Sequence, residues 1–205
     1  MGTDIHAIAQ VKKNGKWEDI RMEWEQNRHY LLFSWLADVR NGYSFAGVPT
    51  YKAITPITPP RGLPEDFEML DEAHPTTLIT LSEHAQKYQE DKEHPTKWMG
   101  DHSHSWLLAS EILQTPPPTQ LWHCGVVPID FFTTWDGHTP PKTWSGEISG
   151  ERIIRAPTPV DVTEETTHVR IFWKETQNEL QYFIDEVKRL KDLHGDFRLV
   201  FGFDS

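Results

Sequence analysis

An alternating run followed by Asn-Gly is the feature that most narrows what this chain can fold into. From Asp4 to Lys12, Ile5, Ala7, Ala9 and Val11 fall on one face and Asp4, His6, Ile8 and Gln10 on the other, the period-two pattern of a strand. Asn14-Gly15 then offers the two positive-φ residues of a type I′ turn, so Lys16 to Met22 is expected to return as the second strand of a hairpin.

The C-terminal part is nearly as explicit. Val169, Ile171 and Trp173 alternate as a strand, and Thr176 with Glu179 has the spacing of a capping box. The helix expected from there to His194 puts Leu180, Phe183, Ile184, Val187 and Leu190 on one buried face, with Gly195 as its stop. Phe197 to Phe203 is apolar enough for a central strand. Strand, helix and strand in this order predict a right-handed crossover onto a mixed sheet. The expected fold class is therefore α+β, a mixed sheet with an N-terminal β-hairpin, a C-terminal β-α-β unit and helices packed on the sheet. A length of 205 residues suits a single globular domain spanning 1–205.

Between these ends the signals are weaker. His29 to Val39 has helical spacing at Tyr30, Leu32, Phe33, Leu36 and Val39, with Asn41-Gly42 suited to the left-handed stop. Prolines at 49, 56, 59, 60 and 64 predict a long loop ending in Arg61-Gly62-Leu63-Pro64. Thr80 with Glu83 would open a polar helix running to Lys92. Residues 119–160 hold Trp122, Trp135 and Trp144 without clear periodicity and read as short strands and turns.

Charge and cysteine content restrict the partners. With 20 Lys and Arg against 31 Asp and Glu, the formal charge is -11, which repels long nucleic acids unless a basic patch offsets it, and no basic run is visible. A small anion needs only a few aimed donors. The single cysteine, Cys124, rules out an internal disulfide framework and multi-cysteine zinc sites, and a cytoplasmic setting is expected. No secretory h-region follows Met1, no apolar run nears the roughly 20 residues that span a bilayer, and His6 stands where a myristoylation signal needs Ser or Thr. Whether the chain forms a homo-oligomer is left open.

The densest polar stretch is Gly100-Asp101-His102-Ser103-His104-Ser105-Trp106, ahead of an apolar run to Leu113 that reads as a short helix with Ser103 or Ser105 as its N-cap. A helix start presents unpaired N–H groups, so His102, Ser103, His104 and Ser105 would hold a phosphate, with Arg61 adding a bidentate fork. Trp106, Trp122 or Trp135 would stack a base. The same residues permit a divalent metal ion: Asp4 and His6 share a strand face, His102 and His104 would share theirs, and Asp204 joins them if the first and last strands pair antiparallel, with Asp101 a further ligand. The plain alternatives are a helix-capping loop, a polar strand face and a structural Arg61. Cys124 beside His123 reads as a small buried thiol rather than a nucleophile. Asp136 and His138 around Gly137 read as a turn.

The opening Met1-Gly2-Thr3-Asp4-Ile5-His6, the Arg61-Gly62-Leu63-Pro64 loop, the Asp101-His102-Ser103-His104-Ser105-Trp106-Leu107 stretch and the closing Arg198-Leu199-Val200-Phe201-Gly202-Phe203-Asp204 together resemble a family of uncharacterised phage-encoded proteins. The resemblance implies expression in a bacterial host and, by analogy with other small phage proteins, a part in countering host immunity. The leading expectation is sequestration of a small phosphate-bearing nucleotide. A metal-dependent hydrolase or phosphodiesterase acting on such a nucleotide, and a protein-binding inhibitor, are the alternatives.

Overall fold

Asn14 and Gly15 take φ of 50° and 82°, closing the expected hairpin with Lys13 opposite Lys16. The computed structural model of the chain describes residues 2–23, 28–42, 52–67, 99–100 and 102–204. Among them the elements are, in chain order, β1 (Asp4–Lys13), β2 (Lys16–Ile20), α1 (Tyr30–Ala37), β3 (His102–Leu108), α2 (Ala109–Gln114), β4 (Gln120–Pro128), α3 (Ile129–Thr134), β5 (Arg155–Ala156), β6 (His168–Thr176), α4 (Gln181–His194) and β7 (Arg198–Asp204). The class is α+β. By internal contacts the chain divides into two compact units, the first made of Met1–Val39, Thr55–Pro117 and Glu179–Ser205, the second of Arg40–Ile54 and Pro118–Asn178.

The first unit is built on an antiparallel sheet ordered β2, β1, β7, β3. The apolar run at 197–203 lies centrally as expected, flanked by β1 and β3, and it is buried from Arg198 to Phe203. One sheet face meets α1, where Phe33 packs edge-on to Phe203 at 5.2 Å, and Trp35 of α1 meets Phe183 of α4 at 6.5 Å. Phe183, Val187 and Leu190 are buried along α4, so its expected stripe exists. His29 caps α1 by accepting the Leu32 N–H at 3.2 Å. The helix stops before Asn41-Gly42 because Asp38 itself turns left-handed, with φ of 61°, and the Asp38 and Val39 N–H groups reach back to Ser34 and Phe33.

Three expectations need correction. Residues 102–108 are a strand and not a helix lip, because Ser105 and Leu107 alternate inward opposite Phe201 and Leu199; the helix that follows begins only at Ala109, with Glu111 accepting the Leu108 N–H at 2.9 Å. The Thr176 and Glu179 pair does not open α4, since Thr176 is still held in β6 opposite Gln120. The strands before and after α4 do not share a sheet either: β6 pairs with β4 over nine positions in the second unit, whereas β7 lies between β1 and β3. The helix expected from Thr80 to Lys92 lies outside the described residues.

The loop at 55–67 is tied to the first sheet by polar contacts. Arg198, 2% exposed, donates to Gln10 Oε1 at 3.0 Å and to the carboxylate of Asp66, which also accepts the Trp17 indole N–H at 2.7 Å. These bonds, Arg198 first and Trp17 second, hold the Asp66 carboxyl below the usual carboxylate range. A depressed folded-state pKa stabilises above the unfolded value of about 4 and is lost as pH falls through the folded one. Asp66→Asn should therefore lower the urea midpoint at pH 7, and that difference should shrink as pH is lowered below about 4.

The second unit carries a three-stranded mixed sheet ordered β4, β6, β5, in which β4 and β6 run antiparallel and β5 parallel to β6. One face is core: Val127, Ala156, Val169, Ile171 and Trp173 are buried, and Ile129, Phe131, Phe132 and Trp135 pack on them. Where short strands and turns were expected in 119–160, β4 is nine residues long and leads directly into α3. The turn expected at Asp136 is present, with Asp136 accepting the His138 and Thr139 N–H groups at 2.8 and 2.7 Å. Those bonds and the Thr139 hydroxyl push its carboxyl down to about 2.

Candidate functional site

The antiparallel pairing of β1 with β7 sets Asp4 opposite Asp204 and His6 opposite Gly202. Paired residues project to one face, so sequence-distant polar groups converge there. His6, 2% exposed, places Nε2 3.0 Å from Asp204 Oδ2. Asp204 Oδ1 accepts the Asp4 N–H at 3.1 Å, and Asp4 takes the Arg28 guanidinium at 2.9 and 3.4 Å. The second imidazole nitrogen, Nδ1, is buried with no hydrogen-bond partner among the described residues. A carboxylate that fixes the ring while the other nitrogen is left unpaired has the connectivity of the orienter-and-base arrangement of acid–base sites, although here that nitrogen does not reach solvent.

A bulge decides what β3 adds. His102 stands opposite Phe203 and Ser105 opposite Phe201, so Ser103 and His104 share the one position facing Gly202, with Ser103 at φ of 52°. The extra residue breaks the alternation. His102 stacks on Phe203, ring centroids 6.1 Å apart, on the face that meets α1. His104 lies instead against Gly202 on the His6 side and bonds through Nε2 to the Gly100 carbonyl at 3.0 Å. The expectation that His102 and His104 share a face is thus corrected. Asp4, His6 and Asp204 come together, His104 borders them, and His102 does not join. Among the described residues no three His, Cys, Asp or Glu side chains are grouped to hold a metal ion; Asp101 lies outside those residues.

The groups proposed for a phosphate are committed elsewhere. Residues 102–105 lie in a strand and not at a helix start, so the cluster of helix-start N–H groups expected there does not form. Ser105 is fully buried and accepts the Arg61 N–H at 3.2 Å, and the Gly62 N–H bonds to the His104 carbonyl at 2.8 Å. His102 Nδ1 pairs with the Ser103 hydroxyl at 2.9 Å. The Arg61 fork goes to Glu111 at 3.0 and 2.6 Å, which lowers the Glu111 pKa, and the guanidinium covers one face of Trp106 at 5.2 Å.

The second unit assembles what the sequence did not display. Continuous register between β4 and β6 sets Trp122 opposite Lys174, Cys124 opposite Phe172 and Val126 opposite Arg170, and Arg155 of β5 stands beside His168 on the same face. Cys124 is buried. Trp122 is half-buried, with Lys52 and Lys174 ammonium groups 4.7 and 5.1 Å from its ring centroid. Lys52, Arg155 and the β6 residues Arg170 and Lys174 come from three segments, so no run in the sequence displays them. A signal was present, because the alternation that made β6 legible leaves Arg170, Phe172 and Lys174 on the face opposite Val169, Ile171 and Trp173. The charge is also divided unevenly. Residues 40–54 and 118–178 contain seven Lys and Arg against eight Asp and Glu, so nearly all of the -11 belongs to the first unit.

No protein-family model, no curated protein and no solved structure matches this chain.

Proposed function

We propose that the chain binds a small phosphate-bearing nucleotide, with the base on Trp122 and the phosphate between Lys52 and Lys174. The observation that carries this reading is the half-buried indole with two ammonium groups over its ring, 4.7 and 5.1 Å from the centroid, which a ligand phosphate would draw aside as the base takes their place. Stacking of a base on an aromatic ring tolerates any base, and nearby cations add the phosphate term. The near-neutral second unit makes that face less repulsive to an anion than the whole-chain charge suggests. Sequestration of a host immune nucleotide inside a bacterium is the physiological form of the proposal and rests on the phage-family resemblance alone.

Titration with AMP and ATP, followed by tryptophan fluorescence, tests the reading. Quenching that saturates is expected, and Lys52→Ala and Lys174→Ala should each weaken binding and flatten its salt dependence. No quenching at millimolar nucleotide would end it. The His6–Asp204 pair, with Nδ1 unpaired but shut off from solvent, favours one second reading, a hydrolase in which His6 acts as general base once a substrate reaches that nitrogen. Heat release after binding separates the two. Intact nucleotide supports sequestration; hydrolysed product that disappears with His6→Ala supports the hydrolase.

A further inference from the structure

The same sheet face holds a second arrangement that the base platform does not use. Glu147 receives both Arg155 and Arg170 through its carboxylate oxygens. Two guanidinium groups converging on one carboxylate form the seat that phosphates and carboxylates generally occupy. Their side chains are 35% and 23% exposed, while Glu147 is 68% exposed, so the seat opens to solvent and its occupant is the most exposed of the three.

The occupant is also lightly held. Ser145 makes a two-bond bridge with Val126 at 2.7 and 3.1 Å, but residues 146–150 belong to no helix or strand. Gly146 has open space where a Cβ would stand, so nothing packs against that side of the backbone next to Glu147. The Arg155 and Arg170 contacts are the ion pairs that keep Glu147 in place.

Resting on the nucleotide reading above, we infer that Arg155 and Arg170 form a second anion seat in which Glu147 stands in for a ligand phosphate. Arg170 and Lys174 are four residues apart on one strand face, about 13 Å at strand rise. A ligand that uses both ends therefore carries a base and an anionic group about 13 Å from it, as the tail of a nucleoside triphosphate or the distal phosphate of a dinucleotide does. AMP is too short. Glu147 competes with that distal group, so the site discriminates by ligand length and holds its cation pair neutralised when empty.

Glu147→Gln keeps the side-chain shape and removes the competing charge. Affinity for ATP and for a 5′-phosphorylated dinucleotide should rise about tenfold, the size of one charge-assisted bond, while affinity for AMP changes less than about twofold. A gain for one of the two long ligands alone identifies which chemistry the seat takes. Arg170→Ala in the Glu147→Gln background should abolish the gain. Inorganic pyrophosphate separates this inference from the base reading: its binding should strengthen in Glu147→Gln whether or not Trp122 is present. Equal shifts for AMP and ATP, or no shift for pyrophosphate, would overturn the seat. A Glu147→Gln gain for pyrophosphate with no nucleotide bound by either protein would uphold the seat and reject the nucleotide.

Discussion

Replacing Gly202 with alanine is expected to unfold the first unit or to lower its stability by about 3 kcal/mol, at the upper end of ordinary overpacking. The added Cβ would stand 2.6 Å from His104 Cδ2 and closer still to the Met99 carbonyl oxygen. The imidazole can rotate away only by giving up its bond to the Gly100 carbonyl. The Met99 oxygen is backbone and cannot move alone, because the adjoining Gly100 is itself seated at φ of 82° against the backbone of Phe203. Gly202 lies in the central strand between β1 and β3, so a shift of β7 would disturb both ladders. Urea denaturation followed by circular dichroism measures the loss, and an unchanged midpoint would mean that the Met99 crossing is not as close as described.

Trp122→Ala should weaken nucleotide binding roughly 10- to 100-fold, since stacking of one base on an aromatic ring contributes about 1–3 kcal/mol. The substitution leaves Lys52 and Lys174 in place, so the salt dependence should persist while the affinity drops. Stability should change far less than for a core tryptophan such as Trp173, which is 1% exposed, because Trp122 is half-buried on the face opposite the core. The comparison that isolates the stacking term is Trp122→Phe, which keeps a smaller π-face and should recover part of the affinity. Trp106→Ala is the complementary control. The Arg61 guanidinium over its ring is held in place by two bonds to Glu111, at 3.0 and 2.6 Å, so that face is not given up to a base and removal of the ring should leave binding unchanged.

The parts of the fold that were legible are those specified by adjacent residues. Asn14-Gly15 determines its own turn, and the apolar run through Phe203 has one way to be buried, at the centre of a sheet. The antiparallel approach of Asp4 to Asp204 was a pairing that two such strands permit and do not dictate, and the structure adopts it. What could not be read depends on contacts between distant segments. His102-Ser103-His104-Ser105 looks the same before a helix or in a strand, and short segments of this kind have no decisive period. The outcome was set by the ladder that β7 offers, and the bulge at Ser103 was set by the Gly202 row, where Met99 crosses. The basic face was hidden for a related reason. Arg170 and Lys174 share β6, but Lys52 and Arg155 are far from them in sequence, and they are brought in by the contact of Lys52 with Trp122 and by the pairing of β5 with β6. The partner taken by Arg61 was equally illegible, since nothing local to Arg61-Gly62-Leu63-Pro64 announces Glu111.

Nucleotide binding on the second unit's sheet face is reported most directly by the indole N–H resonances of the nine tryptophans. With the Trp122 resonance assigned by its absence in Trp122→Phe, titration with ATP is expected to shift that signal in a saturable manner while the Trp106 signal stays in place. A saturable shift at Trp106 with Trp122 unmoved, or no indole shift at any ATP concentration, would contradict the account.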